Sequence, residues 1–386
     1  MNLTIILQQF KDKKIKSITE KNVQDKDESY YMASQWQLMM RKFKKHHLAK
    51  ISIFVLSLLY AGAIFGNFLA PQGLSSYDQD SINMPPTKIH IIDNEGKLSL
   101  PFVYGIKSER DPETWMKVYV EDKVEKYPIK LFVKGEAYTL WWLFDSNRHL
   151  FGIDEPGKIF LFGTDSMGKD LFSRIIHGSK ISLSIGFVGV IISMVLGTII
   201  GSVSGYFGGM VDTVIERFLE ILRSFPSIPL WLTLSAAIPP HLSSIMVYFW
   251  ITIILSLIGW PSLARTVRSK FMSMKEEDFV MAARVSGCSV PRIIGTHLVP
   301  GFLSYFIVSL TLSIPAMIVS ETSLSFLGLG IRAPSTSWGV LLQEAQQIQN
   351  VVLYPWRLIP LAFVIITVLA FNFMGDGLRD AADPYK

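Results

Sequence analysis

Between Gly163 and Asp170 the sequence reads Gly-Thr-Asp-Ser-Met-Gly-Lys-Asp, a Gly-x4-Gly-Lys string like the start of a phosphate-binding loop. It follows Ile159-Phe-Leu-Phe162, which has strand character. In such a loop the amides cradle phosphates, the lysine reaches them, and a Ser or Thr hydroxyl ligates Mg²⁺. Here Asp170 holds the Ser/Thr position, and Asp165 adds a second negative charge beside the would-be phosphates. The string therefore predicts no nucleotide binding by this chain. Other chemistry is sparse. The seven histidines include no His-Glu-x-x-His and no close carboxylate pairing, so no metal site is expected. No nucleophile elbow or covalent-catalysis constellation is recognisable. Cys288 is the single cysteine, which excludes an intrachain disulfide. Glu321 is an ionisable group in an apolar stretch, a functional candidate by default if that stretch is in a membrane. Two readings stay open for it: a group on a translocation pathway, or a structural one reaching headgroups or capping a neighbouring helix end. Pro315 in the same stretch permits a kink, architectural or mechanistic.

The elements that must position these residues are membrane spans. Of 386 residues 49% are hydrophobic and only 18% charged, against about a quarter charged in soluble domains. A bilayer span needs about 20 largely apolar residues as a helix. Six segments qualify: roughly Ala49–Ala70, Ile181–Tyr206, Val214–Ile238, Ser244–Leu263, Phe302–Leu324 and Leu358–Met374. The second carries Gly186, Gly189, Gly197 and Gly201, small residues that let neighbouring helices approach closely. The third opens with Glu216, Arg217, Glu220 and Arg223, so its apolar part starts at Phe225. The aromatic content of 12% suits lipid-facing and interfacial positions. The expected fold is thus an all-α polytopic membrane protein. The formal net charge of +5 is concentrated beside apolar segments, which points to lipid headgroups and insertion signals rather than nucleic acid.

Orientation follows from the basic residues. Arg41, Lys42, Lys44, Lys45 and Lys50 precede the first span, and Arg265, Arg268, Lys270, Lys275, Arg284 and Arg292 lie between the fourth and fifth. Pro239–Ser243 has neither Lys nor Arg. The positive-inside rule makes the arm 1–48 and the loop 265–300 cytoplasmic, and six spans put both termini inside. The arm reads as no cleavable signal, because Leu3–Leu7 is too short an apolar core; the span 49–70 acts as an uncleaved anchor. The polar insert 71–179 then lies outside, and 180–386 forms a five-helix core. Lys88–Asp93, a turn with Gly96, and Lys97–Tyr104 read as a hairpin. Alternation from Lys126 to Val133 reads as another strand, and Asp111-Pro-Glu as a helix start. A small α+β domain is expected.

The loop between the fourth and fifth spans reads Asp278-Phe-Val-Met-Ala-Ala-Arg-Val-Ser-Gly-Cys-Ser-Val-Pro-Arg-Ile-Ile-Gly-Thr-His-Leu-Val-Pro300. Ala282 and Ala283 keep one helix side thin, and Gly287 can end that helix in a left-handed conformation. Ser289 and Pro291 can start a second short helix. Two short helices with a glycine joint make a protrusion able to dock into a groove; a plain amphipathic link between spans is the alternative.

This loop resembles the "EAA" signature of ABC-importer permeases: Glu-Ala-Ala, three residues, Gly, nine residues, Ile-x-Leu-Pro. Ala282, Ala283, Gly287 and Pro300 keep the spacing, while Met281 stands where the family has Glu. Phe162–Arg174, Gly205–Asp212, Ser224-Phe-Pro226, Glu321–Gly330, Ser337-Trp-Gly339 and Gly375–Pro384 resemble the dipeptide/oligopeptide branch, and most of all its C-type permease subunit. The resemblance covers about 160–384 and the first span.

It implies a type I ABC-importer permease fold in the cell membrane, and a transport subunit rather than an enzyme. It also implies a second permease, two cytoplasmic ATPase subunits that carry ATP and Mg²⁺, and an external solute-binding protein. This chain holds no cofactor on that reading. Ala282, Ala283, Gly287 and Pro300 become the ATPase-coupling loop, and Gly163–Asp170 the lead-in to the second span. The cargo would be peptides, or oligosaccharides in members that reuse the architecture. The insert, a folded polar unit on the face where cargo arrives, is expected to dock the binding protein or cover the outer mouth, with a stabilising cap against the partner permease as the alternative. A membrane-anchored hydrolase with the insert as its catalytic domain is the competing class; it lacks a catalytic constellation and leaves the loop unexplained. A passive channel lacks a polar filter.

Overall fold

The computed structural model describes residues 35–382 except 95, 114 and 142, so most of the N-terminal arm and the end of the tail motif lie outside the described residues. Helix α1 (Gln35–Phe43) leads into α2 (His47–Ile64), which the His46 imidazole caps by accepting from Ala49 N at 3.2 Å. Then come five strands: β1 (His90–Ile92), β2 (Leu98–Arg110), β3 (Lys117–Pro128), β4 (Lys130–Leu140) and β5 (Phe144–Gly152). The helical core follows as α3 (Leu171–Phe207), α4 (Gly209–Ser224), α5 (Ser227–Ala236), α6 (Ser244–Met274), α7 (Asp278–Val285), α8 (Leu303–Phe326), α9 (Trp338–Ala345) and α10 (Ile359–Ala382).

Five of the described helices are long and apolar enough to cross a membrane: α2, α3, α6, α8 and α10, the last taken with the turn from Pro355. The expected third span is not one helix. Phe225 is extended (ψ 134°) and Pro226 follows, which ends α4 and leaves α5 only ten residues long. Proline lacks the N–H that a continuous helix would use, and it pushes its predecessor out of the helical region. The second span starts earlier than expected, at Leu171, where Asp170 caps it: its carboxylate accepts from Ser173 N at 2.8 Å.

The helices pack with α3 at the centre. Along α3 and α6, Tyr248 Oη donates to Ser184 Oγ at 3.1 Å, Ser193 Oγ donates to Ser256 O at 2.8 Å, and Gly201 lies against Ala264. Residue numbers rise together, so these two helices run parallel. A Cβ on Gly201 would sit 2.3 Å from the Ala264 carbonyl oxygen, so only glycine allows this approach. Helix α8 runs antiparallel to α3, with Ser182 beside Glu321 and Gly186 beside Ile318. Helix α10 lies against α2 and α8, with Gly377 on Ala49 and Gly375 on Leu312.

Between residues 71 and 170 the described residues form strands and one 3-10 turn (Gln79–Ser81), without an α-helix. The expected α+β insert is therefore a β unit. The hairpin forms as read, with His90 opposite Phe102 and Ile92 opposite Leu98. Asp111 does cap its segment, accepting from Glu113 N at 2.8 Å, but the chain turns into β3 at Lys117 before a helix can nucleate. Alternation from Lys126 to Val133 spans two strands: β3 pairs with β2, β4 pairs with β5, and the chain changes sheet at Ile129. Ile159–Phe162 forms no strand.

Candidate functional site

The loop between α6 and α8 folds on its own small core. Val280, Ala283, Ile293 and Leu298 bury against Val267 and Phe271 of α6 and Phe302 and Phe306 around the start of α8. Helix α7 ends in a Schellman arrangement: Gly287 N donates to Arg284 O at 2.9 Å and Cys288 N to Ala283 O at 3.0 Å, with Gly287 at φ 76°. A short helical turn (Val290–Arg292), a π-turn (Ile293–Leu298) and Val299–Gly301 then lead to α8, with Pro300 exposed. Arg284 lies over the Tyr206 ring at 5.1 Å and ties α7 to the end of α3.

The two alanines do not share a docking face. Ala283 is 8% exposed and belongs to the loop's own core, whereas Ala282 is exposed. A helix turns 100° per residue, so adjacent positions diverge and i, i+3 positions align. The outward face is Phe279, Ala282 and Val285, with Val285 89% exposed; Met281, where the family has Glu, is also exposed. That exposed apolar face lies next to a left-handed joint that Gly287 fixes. No atom lies within 4 Å of a Cβ placed on Gly287, so its constraint is the dihedral alone. Gly287→Val is expected to destabilise the loop by about 1–2 kcal/mol, and Gly287→Asn by little, since Asn tolerates this region. Thermal unfolding of the purified protein checks this. Equal losses in the two variants would remove the dihedral as the cause.

Glu321 has 0% exposure, which excludes the headgroup reading. Ser182 Oγ of α3 donates to one carboxylate oxygen at 3.1 Å and Ser325 Oγ to the other at 2.7 Å. Ser182 Oγ also accepts from Trp338 N of α9 at 3.2 Å. The carboxylate thus pins α3, α8 and α9 together. Pro315 is buried within α8. A cavity of about 410 Å³ lies among α3, α5, α6 and α8, lined by Ser193, Trp231, Gly259, Ser313 and Met317 among others; neither Glu321 nor Pro315 lines it.

The Gly163–Asp170 string is a packed turn. Asp165 is buried and its carboxylate accepts from Met167 N at 2.7 Å and Lys169 N at 3.0 Å, so these loop amides already hold an anion of the chain itself. Gly168 (φ 77°) presses on Asp78, where a Cβ would meet the carbonyl oxygen at 1.9 Å. Arg174, in the first turn of α3, is the residue that sequence reading passed over. Its guanidinium contacts Asp165 and grips Glu344 of α9 with two hydrogen bonds, Nη1 to Oε2 at 2.5 Å and Nη2 to Oε1 at 2.7 Å. Arg357 Nη2 donates to Glu344 O at 3.0 Å. A basic residue at the edge of an apolar run is the signal that would have found it, since such charges seek buried partners.

Burial pushes the Asp170 carboxyl up to about 6, although its bonds from Ser173 oppose this. A carboxylate raised in the folded state stabilises below the unfolded value near 3.8, and that contribution is lost as pH rises through about 6. Asp170→Asn keeps the cap acceptor and removes the titration. The stability difference between wild type and Asp170→Asn is therefore expected to change by about 1–3 kcal/mol between pH 4 and pH 7, with wild type losing ground as pH rises. Thermal midpoints across that range test it; a flat difference would count against the burial of a charged form.

Five helices long and apolar enough to cross a membrane, a folded loop between two of them and a charge-clamped lead-in are the features of a multi-pass membrane component. Residues 197–385 match the family of binding-protein-dependent transport system inner membrane components, and residues 34–86 match the N-terminal transmembrane domain of oligopeptide transport permease C. The oligopeptide transport system permease protein OppC of Bacillus subtilis is 37% identical over 241 residues, covering 62% of this chain and 76% of that one. The dipeptide transport system permease protein DppC of Lactococcus lactis subsp. cremoris is 32% identical over 356 residues, 91% of each chain, so that match runs through much of the insert. OppC of Haemophilus influenzae is 44% identical over 226 residues, 58% of this chain and 70% of that one. The chain belongs to the dipeptide/oligopeptide permease family of ABC importers, and it is a transport subunit rather than an enzyme.

Proposed function

We propose that this chain pairs with a second permease to form the pathway of a peptide importer. An external solute-binding protein feeds it and two cytoplasmic ATPase subunits, which carry the ATP and Mg²⁺, drive it. The observation that carries the reading is the α7 protrusion, an exposed apolar face braced by its own core and a left-handed glycine joint. Peptide cargo rests on the relatives, which are named as oligopeptide and dipeptide permeases. Docked ATPases closing on ATP would move this loop, and the helices would reorient about the central pathway.

Both termini and the loop 265–300 face the cytoplasm in this reading, and the β insert faces outward. The parallel packing of α3 and α6 supports a reading with six crossings. Parallel neighbours need the chain between them to return across the bilayer, and α4 with α5 supplies that return. Asp212 and Glu216 of α4 pair with Arg268 and Arg265 near the end of α6, while Trp231 of α5 lines one cavity with Leu255 of α6. The Gly163–Asp170 turn, filled by Asp165, supports the absence of ATP from this chain.

The test is uptake by cells expressing the chain with its co-encoded partners. A labelled dipeptide or tetrapeptide is expected to accumulate only with the full set; accumulation of oligosaccharide instead would overturn the cargo. In a Cys288→Ser background, Lys97→Cys is expected to react with an impermeant thiol reagent from outside and Lys275→Cys is not. Labelling of position 275 in intact cells would overturn the orientation.

A further inference from the structure

The β4–β5 hairpin carries a feature that peptide transport does not account for. From the last residue of β4 to the first of β5 the sequence reads Leu140-Trp-Trp-Leu-Phe144, apolar throughout, where the turn between strands usually carries Gly, Asn or Asp. The strands leading to it are polar, with Lys134, Glu136, Asp145 and Arg148. Leu143 is 76% exposed and Phe144 60% exposed. Trp141 stands at φ 52°, a left-handed conformation that a bulky residue rarely adopts.

The tip lies beside the end of a span. Trp141 Nε1 donates to Ile64 O, the last residue of α2, at 3.1 Å, and its ring packs on Phe65 at 5.3 Å between centroids. Asn67 Nδ2 donates to Thr139 O at 3.1 Å, and the Phe68 and Phe132 rings lie 6.1 Å apart. The exposed side of α2 carries Ile51, Phe54 and Leu58, and Phe65, just past its end, packs on the Trp141 ring. The tip therefore continues a surface that α2, as a span, turns towards acyl chains. Between the tip, α2 and α3 lies a cavity of about 450 Å³ with Tyr60, Ile64 and Leu183 in its wall and His177 and Lys180 at its polar side. Tryptophan concentrates where hydrocarbon meets headgroups, because its ring is apolar and its N–H needs a partner.

We propose that the β4–β5 tip, through Trp141, Leu143 and Phe144, is an interfacial membrane anchor. It inserts into the interfacial layer of the leaflet at the C-terminal end of α2 and holds the β insert against the bilayer. The occupant of the exposed tip is lipid, with acyl segments against Leu143 and Phe144 and headgroups around Trp141. On the orientation proposed above this is the outer leaflet, but the insertion depends only on the tip lying at the end of α2. The anchor adds to the Asn67, Phe68 and Trp141 contacts that tie the β4–β5 sheet to the end of α2.

The experiment places an environment-sensitive NBD label at single cysteines in the full complex, in a Cys288→Ser background. Proteoliposomes of phosphatidylethanolamine and phosphatidylglycerol carry it. Leu143→Cys and Phe144→Cys report the tip, and Lys97→Cys, in the polar β1–β2 turn, is the reference. The tip labels are expected to emit to the blue of the reference. A shallow doxyl-labelled lipid should quench them at least twofold more than iodide does, with the order reversed at position 97. Iodide quenching of both tip labels to the level of position 97 would put the tip in water and overturn the proposal. Labels that neither quencher reaches would mean a protein surface, such as the second permease, covers the tip, and would overturn it equally.

Discussion

Ala282→Asp is expected to abolish substrate uptake while the permease still inserts and pairs. The α7 side chains Phe279, Ala282 and Val285 face away from the loop's core, so a carboxylate at 282 meets water in the free subunit and costs little there. In a groove that accepts the apolar face, the same carboxylate loses its water without a partner. Desolvation alone costs about 2 kcal/mol or more, and about 1.4 kcal/mol is already tenfold in a docking equilibrium. Ala283→Asp differs in kind. It forces the charge among Val280, Phe271 and Leu298, and lowers the stability of the subunit itself. Uptake and binding-protein-stimulated ATP hydrolysis in reconstituted complexes, together with the level of folded subunit, separate the two. Loss of uptake with normal folding at 282, and loss of folding at 283, is the expected pattern. Full uptake by Ala282→Asp would mean that this face does not carry the coupling.

The difference between these alanines shows where sequence legibility stops. Spacing put Ala282, Ala283, Gly287 and Pro300 in one loop, and it foresaw the left-handed joint, because a glycine after a short amphipathic helix has few other uses. Which alanine faces out depends on α7 lying across Phe271 and Phe302, a contact between segments that no local pattern encodes. The spans were legible from apolar length, since hydropathy is a property of each segment alone. The sequence separates the charged start of the third segment from its apolar part at Phe225, but hydropathy alone does not show that the helix breaks there at Pro226. In the insert, the Asp93–Lys97 turn announced its hairpin. Asp111-Pro-Glu misled, because a helix start and a tight turn use the same capping chemistry, and the length of chain left before β3 decided between them. Glu321 was visible as a charge in an apolar run; its serine partners sit on α3 and in its own helix, and only packing brings them together.

Arg174→Leu is expected to be the most damaging single change on the face that carries the insert. The arginine joins the Asp165 turn, α3 and α9, and Glu344 passes the connection on to Arg357 at the foot of α10. Removing it leaves Asp165, 2% exposed, without its ion-pair partner and with only the more distant charge of buried Arg357 to offset it, whereas the half-exposed Glu344 can turn to water. Breaking one side of a buried pair costs about 3–5 kcal/mol, because the remaining charge stays desolvated. Glu344→Gln, by contrast, keeps a hydrogen-bonding amide beside Arg174 and should cost about 1 kcal/mol. The decisive variant is Asp165→Asn with Arg174→Leu. It removes both charges of that pair, leaves Arg357 with Glu344 as its acidic neighbour, and its amide oxygen can still accept from Met167 N and Lys169 N. The double variant is therefore expected to recover much of the loss, measured as the thermal midpoint and yield of the folded complex. If it is as damaged as Arg174→Leu alone, the arginine acts through its packing and its grip on Glu344, and the buried charge of Asp165 is not what the clamp neutralises.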